Sequence, residues 1–190
     1  QLPEDVELLA ITFSYFGDSI TPVDEKGEAL YGMIPGFCGR SFKEVQTIGR
    51  EIGADTYAKI TGNTLSTLAT PSKIMWLRDN EPENYRNIRW VFECKDYVRF
   101  RLTGEAFAEV TDYSGTNLMN LHTRDYDPRL LGLFGLEAVA AALPPLRLST
   151  DVCGRITEEA AALTGLKAGT PVVGGMFDID ACAVAVDAAD

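Results

Sequence analysis

Apolar and polar positions change period twice along this chain, and the changes divide it into three stretches. Near the start, Leu8 to Phe13 is a short apolar run rich in strand formers, and Ser19 to Val23 is expected to be its hairpin partner. The polar turn Asp24-Glu25-Lys26-Gly27-Glu28 leads into another extended piece, Ala29 to Ile34. The middle has a helical period. Ser41 followed by Glu44 reads as a capping box, with Phe42, Val45, Ile48 and Ile52 on one face and a stop near Gly53. Helices are predicted over Pro71 to Arg78 with Thr70 as cap, and over Glu93 to Leu102 with Gly104 ending it; Asn80 to Glu83 interrupts between them. Shorter ones follow at Pro128 to Phe134, Glu137 to Ala142 and Thr157 to Leu163. The chain closes on a buried-type strand, Thr170 to Gly174, and a helix over Ala181 to Val186 behind Asp178 and Asp180. Strands, then helices, then strand to helix make an α/β protein rather than a helical bundle, and no repeat or linker divides it.

A carboxylate at the carboxyl end of a buried strand lies where open α/β sheets place their ligands. On pattern alone, capping the helix that follows outweighs chemistry for either Asp178 or Asp180, since Asp is a favoured N-cap.

Composition narrows the field. At 190 residues, 46% of them hydrophobic, the chain can bury one core. A net charge of −11 argues against nucleic acid or an anionic membrane surface as partner, and is compatible with a neutral sugar. No stretch approaches the roughly 20 apolar residues of a membrane span, and Gln1 to Asp5 is acidic rather than signal-like. Cys38, Cys94, Cys153 and Cys182 are too far apart for paired metal ligands, and His122 is the single histidine. No metal site is therefore expected, and the cysteines read as thiols of a reducing, cytoplasmic compartment.

Three motifs share a resemblance. Gly174-Gly175-Met176-Phe177-Asp178-Ile179-Asp180-Ala181-Cys182-Ala183 is similar to the catalytic-aspartate segment of the FGGY carbohydrate kinases, most of all to members acting on L-xylulose, related keto sugars or small polyols. Lys95-Asp96-Tyr97-Val98-Arg99-Phe100-Arg101-Leu102-Thr103-Gly104-Glu105 and Thr111-Asp112-Tyr113-Ser114 resemble that family's K-D-Y-L-R-x-x-L-T-G-E and T-D-Y-S. Leu143-Pro144-Pro145, Thr164-Gly165-Leu166 and Gly169-Thr170-Pro171-Val172-Val173 follow in the family's order.

The resemblance implies a ribonuclease H-like lobe of the actin and sugar kinase class, incomplete at its N-terminus. It implies ATP-dependent phosphorylation of a sugar or polyol hydroxyl, with Asp178 as general base and Asp180 keeping the capping role. ATP and Mg²⁺ are expected to bind mainly outside residues 1–190: neither the family's glycine-rich phosphate loop nor its second ATPase lobe is present here, so the segment alone is expected to be inactive. A homodimer stays open.

Asp18 stands where the family carries a sugar-contacting His or Glu, with Ser19 beside it; satisfying a tight turn is the other role open to both. Arg40 alone survives from a Trp-x-Asp-x-Arg loop, because Gly36 and Cys38 replace the other two positions. It is either a sugar contact or a structural ion-pair residue. Leu68 near the contacting Tyr of glycerol-type members counts against glycerol. Trp76 and Trp90 resemble stacking platforms, but Trp76 belongs to an amphipathic helix and suits packing. Asp96 and Asp112 are read as helix-holding rather than catalytic, and Glu158 and Glu159 suit a helix's first turn. Two other readings compete: a non-catalytic sugar-sensing or assembly module on the same fold, and a doubly wound nucleotide binder, which lacks its G-x-G-x-x-G here.

Overall fold

Short strands carry this fold. The computed structural model describes residues 6–188, so the acidic start Gln1 to Asp5 lies outside them. In chain order its elements are β1 (Ser14–Tyr15), β2 (Thr21–Val23), α1 (Phe42–Glu51), α2 (Ala54–Thr61), α3 (Thr70–Asn80), α4 (Pro82–Arg86), β3 (Trp90–Phe92) and α5 (Cys94–Thr103). Then come β4 (Ala108–Glu109), α6 (Val110–Gly115), β5 (Met119–Asn120), β6 (Asp125–Tyr126), α7 (Pro128–Phe134) and β7 (Leu146–Arg147). The chain closes with β8 (Val152–Arg155), α8 (Glu158–Thr164), β9 (Pro171–Val173), β10 (Met176–Phe177) and α9 (Asp178–Ala185).

The stretch predicted as the first strand joins the last one. Ile11 bridges Val172 in parallel, and β1 continues the pairing with Ser14 opposite Met176 and Tyr15 opposite Phe177. On its other edge β9 pairs antiparallel with β8, Val152 opposite Val173. Almost the whole chain lies between the two parallel partners, which is the crossover that parallel pairing demands.

Ser19 to Val23 is not the hairpin partner of Leu8 to Phe13. Ile20 pairs with Ile34 and Val23 with Ala29, while β2 takes β3 as its second neighbour, antiparallel, with Pro22 opposite Val91. Residues Ile20 and Val23 are fully buried at this junction.

Two apolar clusters follow from this layout. The larger gathers Ile48, Tyr57, Ile74, Leu77, Leu130, Phe134 and Leu136 from the helical middle, together with Ile20 and Ile34. The smaller, Ile156, Ala160 and Val172 with Ile11, Phe13 and Leu102, lies under the β8, β9 and Ile11 strip. Helix ends obey local chemistry where neighbours leave them free. Gly104 and Gly165 close α5 and α8 in the left-handed conformation, and Thr157 caps α8 by accepting from Ala160 N.

Tertiary contacts overrule it elsewhere. Ser41 makes no side-chain cap; its hydroxyl meets Ser72 Oγ at 2.8 Å. Thr70 is the first residue of α3 rather than its cap, and gives its hydroxyl to Glu93 Oε1 at 3.1 Å. Beyond Gly53 the chain starts a new helix, α2, and Glu137–Ala142 is 3₁₀. Among the described residues no helix is long and apolar enough to cross a membrane.

Candidate active site

Asp178 owes its place to two glycines and to a ring of groups around them. β9 runs into Gly174 and Gly175, the second with φ of 84°, and β10 then delivers Asp178 as the first residue of α9. A side chain at Gly175 would collide with Phe13 O, and one at Gly174 with Leu148 O, so this crossing requires glycine. Phe177 is the residue before the helix and supplies no side-chain cap; Asp180 sits inside the first turn. Asp180 is therefore not the cap the sequence suggested, although its charge there still favours the helix dipole. Asp178 is half-buried and Ile179 beside it is exposed.

The K-D-Y and T-D-Y-S motifs meet directly behind this turn. Lys95, Arg99, Asp96, Glu109 and Asp112 are all buried, and Lys95 Nζ lies 3.0 Å from Asp112, 3.2 Å from Glu109 and 3.5 Å from Asp96. Arg99 pairs with Asp96 at 3.0 Å. Both cations also donate to Gly174 O, at 3.2 Å from Lys95 and 2.8 Å from Arg99. Asp96 and Asp112 thus hold the lysine and arginine that hold the strand end, in line with the helix-holding reading. Three acids against two bases leave one carboxyl short of a partner. Burial pushes Asp112 up to about 7 despite Lys95, whereas Lys95 and the hydroxyl donors, working against burial, leave Glu109 below the usual carboxylate range.

The turn that presents Asp18 is built differently. Asp18 adopts φ of 57°, a left-handed conformation uncommon outside glycine, and its Oδ1 is buried without a hydrogen-bond partner. Ser19 is fully buried behind it: Ser19 N donates to Glu93 Oε2 at 2.7 Å, and Cys94 N donates to Ser19 Oγ at 3.2 Å. Lys73, also fully buried, donates to Asp18 O at 2.8 Å and to Leu68 O. Ser19 N, Ser19 Oγ and Asp18 O are thus engaged from behind, while Asp18 Oδ1 has no partner. Burial raises the Asp18 carboxyl to about 6, with Lys73 pulling the other way.

The two turns meet at the Phe177 ring. A methyl group on Gly17 would fall 2.8 Å from that ring; one on Gly115 would fall 3.6 Å from it and 3.8 Å from Asp18 Oδ1. The Asp18 turn therefore packs close to the ring of the residue that precedes Asp178. Four cavities of about 240 to 380 Å³ open elsewhere on the described residues and neither aspartate lines them; the one of about 240 Å³ is lined in part by Thr111, Ser114, Arg124 and Asp180. Arg40 is exposed, donates to Tyr31 Oη at 3.0 Å and lies 4.8 Å over the Trp76 ring, so it stacks on an aromatic pair. Among the described residues no group of three or more His, Cys, Asp or Glu side chains is placed to hold a metal ion.

Lys73, Glu93 and Glu109 are given no site role by the sequence, and Thr111 enters there only as the first residue of the T-D-Y-S motif. Their signal was polar character where the pattern demands apolar: Lys73 sits among Ile74, Met75 and Leu77, and Glu93 ends the run Trp-Val-Phe.

A family model described as the FGGY family of carbohydrate kinases, N-terminal domain, matches residues 3–185. The chain belongs to this family. The L-xylulose/3-keto-L-gulonate kinase of Escherichia coli K12 is 36% identical over 173 residues, 91% of this chain and 35% of that protein. A probable L-xylulose kinase of Pasteurella multocida is 46% identical over 119 residues, 63% of this chain and 25% of its own length. Among solved structures, the FGGY lobe matches the xylulose kinase of Rhodospirillum rubrum with a TM-score of 0.89 at 29% identity, over 95% of this chain and 37% of that one. The fold is thus the actin-like sugar kinase fold, and the doubly wound nucleotide binder falls away. The chain spans 25%, 35% and 39% of the length of three curated relatives it matches.

Proposed function

We propose that this FGGY lobe serves the ATP-dependent phosphorylation of a sugar hydroxyl, of the pentulose or keto-sugar type, with Asp178 as general base. The observation that carries this reading is the placement of Asp178: first in its helix, half-buried, after a strand end gripped by two buried cations. Phosphoryl transfer needs a positioned acceptor hydroxyl, a group to take its proton and electrostatic relief of the transferred charge. Asp178 takes the proton. Asp18 accepts hydrogen bonds from hydroxyls of the same sugar across the Phe177 ring, with Ser19 fixing its backbone and Arg40 bordering the site. The two relatives named above carry L-xylulose and 3-keto-L-gulonate in their names, which favours a keto sugar over glycerol.

ATP with Mg²⁺ supplies the phosphoryl group and binds mainly to parts of the protein beyond these residues. The side chains here suit a cation carried in on the nucleotide, since Mg²⁺ needs only one or two carboxylates besides phosphate oxygens. The test is a coupled ATP-consumption assay of the full-length protein across ketopentoses, keto-hexonates, tetritols and glycerol. ATP turnover on a ketopentose or keto-hexonate supports the reading; none on any of the four classes overturns it.

A further inference from the structure

Four consecutive backbone N–H groups lead up to Asp178, and each is satisfied from outside the turn. Gly174 N donates to Asp151 O at 3.0 Å, Gly175 N to Ser149 O at 3.0 Å, and Met176 N to Phe13 O at 3.0 Å. The fourth, Phe177 N, donates at 2.9 Å to the Oγ1 of Thr111. Three of the four acceptors are main-chain carbonyls that no substitution removes. The last is a single hydroxyl, and the amide it accepts from belongs to the residue directly before the candidate base.

That hydroxyl is oriented. Thr111 Oγ1 donates to Glu109 Oε2 at 2.6 Å, and a carboxylate accepts only, so the hydroxyl's one proton points at Glu109 and its lone pairs are left for Phe177 N–H. Glu109 is in turn fixed by Lys95 Nζ at 3.2 Å, by Ser149 Oγ at 2.7 Å and by the N–H groups of Thr111 and Asp112. Lys95 closes the loop by donating to Gly174 O. One buried cation thus reaches both ends of the turn, directly at Gly174 and through Glu109 and Thr111 at Phe177.

We propose that Thr111 is a positioning residue for Asp178: its hydroxyl relays the Lys95–Glu109 pair onto the Phe177 amide and sets the direction in which the Asp178 carboxyl leaves the strand. The inference rests on the proposed kinase reading and names the group that aims its base. A misplacement of the order of 1 Å is enough to cost about 10²-fold in a positioned reaction. Thr111→Val keeps the side chain's shape and removes both hydrogen bonds, whereas Thr111→Ser keeps the hydroxyl.

Steady-state kinetics and hydrogen exchange of the peptide spanning residues 174–180 are measured in the full-length enzyme. For Thr111→Val, kcat is expected to fall roughly 10- to 100-fold while the sugar KM moves less than about threefold, and exchange in that peptide to quicken about tenfold or more. Thr111→Ser is expected to recover most of both. Wild-type kcat in a folded Thr111→Val enzyme, an equal loss in the serine variant, or unchanged exchange would each overturn the proposal. If Thr111→Val does not fold, Thr111→Ala is read by the same two measurements. A wild-type enzyme inactive on every sugar defeats the kinase reading, and the exchange result still judges the clamp.

Discussion

Among the described residues, the buried charges behind the Asp18 turn form no salt bridge, whereas those behind the Asp178 turn form a cluster of them. Glu93 accepts only from the Ser19 amide and the hydroxyls of Ser19 and Thr70, and Lys73 donates only to the carbonyls of Asp18 and Leu68. Lys95 and Arg99 by contrast face Asp96, Glu109 and Asp112 at salt-bridge distance and still reach Gly174 O. Behind the Asp18 turn, hydrogen bonds to neutral groups and charges beyond salt-bridge distance do not offset the cost of ionisation, so burial drives Glu93 well above and Lys73 below their ordinary values. The cluster is not spared that cost, since burial pushes Asp112 up to about 7, but its two cations also tie down the strand end at Gly174 O. The strand end before Asp178 is thereby tied to buried ion pairs, and the Asp18 turn to a lysine and a carboxylate that hold neutral groups.

Removing one lysine from each region separates the two designs most sharply. Lys95→Met leaves buried Glu109 and Asp112 without their cation and Asp96 with Arg99 alone, and an uncompensated buried charge costs about 3–5 kcal/mol. Lys73→Met leaves two carbonyls without a donor, for about 1–3 kcal/mol. Denaturant midpoints of both variants decide it: equal losses would erase the distinction between charges in salt bridges and charges outside them.

The next largest effect is catalytic. Asp178→Asn keeps shape but cannot accept a proton, so kcat of the full-length enzyme is expected to fall about 10²-fold or more with the sugar KM little changed. Asp180→Asn alters only a first-turn charge and should cost well under tenfold. Comparable losses in two well-folded variants would show that the roles of these aspartates have been divided wrongly.

The smallest effect is a pH dependence. Asp18 binds its proton more tightly folded than unfolded, with a value of about 6 against 3.8. Its favourable contribution is complete below about pH 4 and is lost as pH rises through about 6. Asp18→Asn should therefore gain in apparent melting temperature relative to wild type between pH 4.5 and 7.5, while its sugar KM rises. A gap between the two proteins that stays constant across that range would mean the Asp18 carboxyl is not held away from water.

Much of this was legible where structure is local. Pro171 to Val173 is bounded by glycine and became a strand, and Pro128 to Phe134, Thr157 and Gly104 behaved as their capping chemistry required. The Asp178 motif was visible because glycines forced by backbone crowding leave a signature in sequence. Long-range competition was not visible. Nothing near Ser19 says that Val23 will pair with Ala29 and Trp90, or that Ser41 and Thr70 will give up capping for Ser72 and Glu93. The first turn of α9 hid its cap for a related reason: two aspartates look like caps in sequence, but the cap position fell to Phe177 because β10 runs on to that residue. The roles of buried Lys73 and Glu93 were not legible because a charge shows its partner only after folding.

The Phe177 ring lodged between Gly17 and Gly115 has a mechanical meaning. An aromatic ring has no slack: unlike a lysine or methionine it cannot shorten by changing rotamer along its length, so a shift of either turn is handed to the other instead of being absorbed. The spacing of the Asp18 turn from the Phe177 strand end is thus gauged by a rigid shim whose seats are bare backbone, and adding a single methyl at Gly17 is enough to reset it.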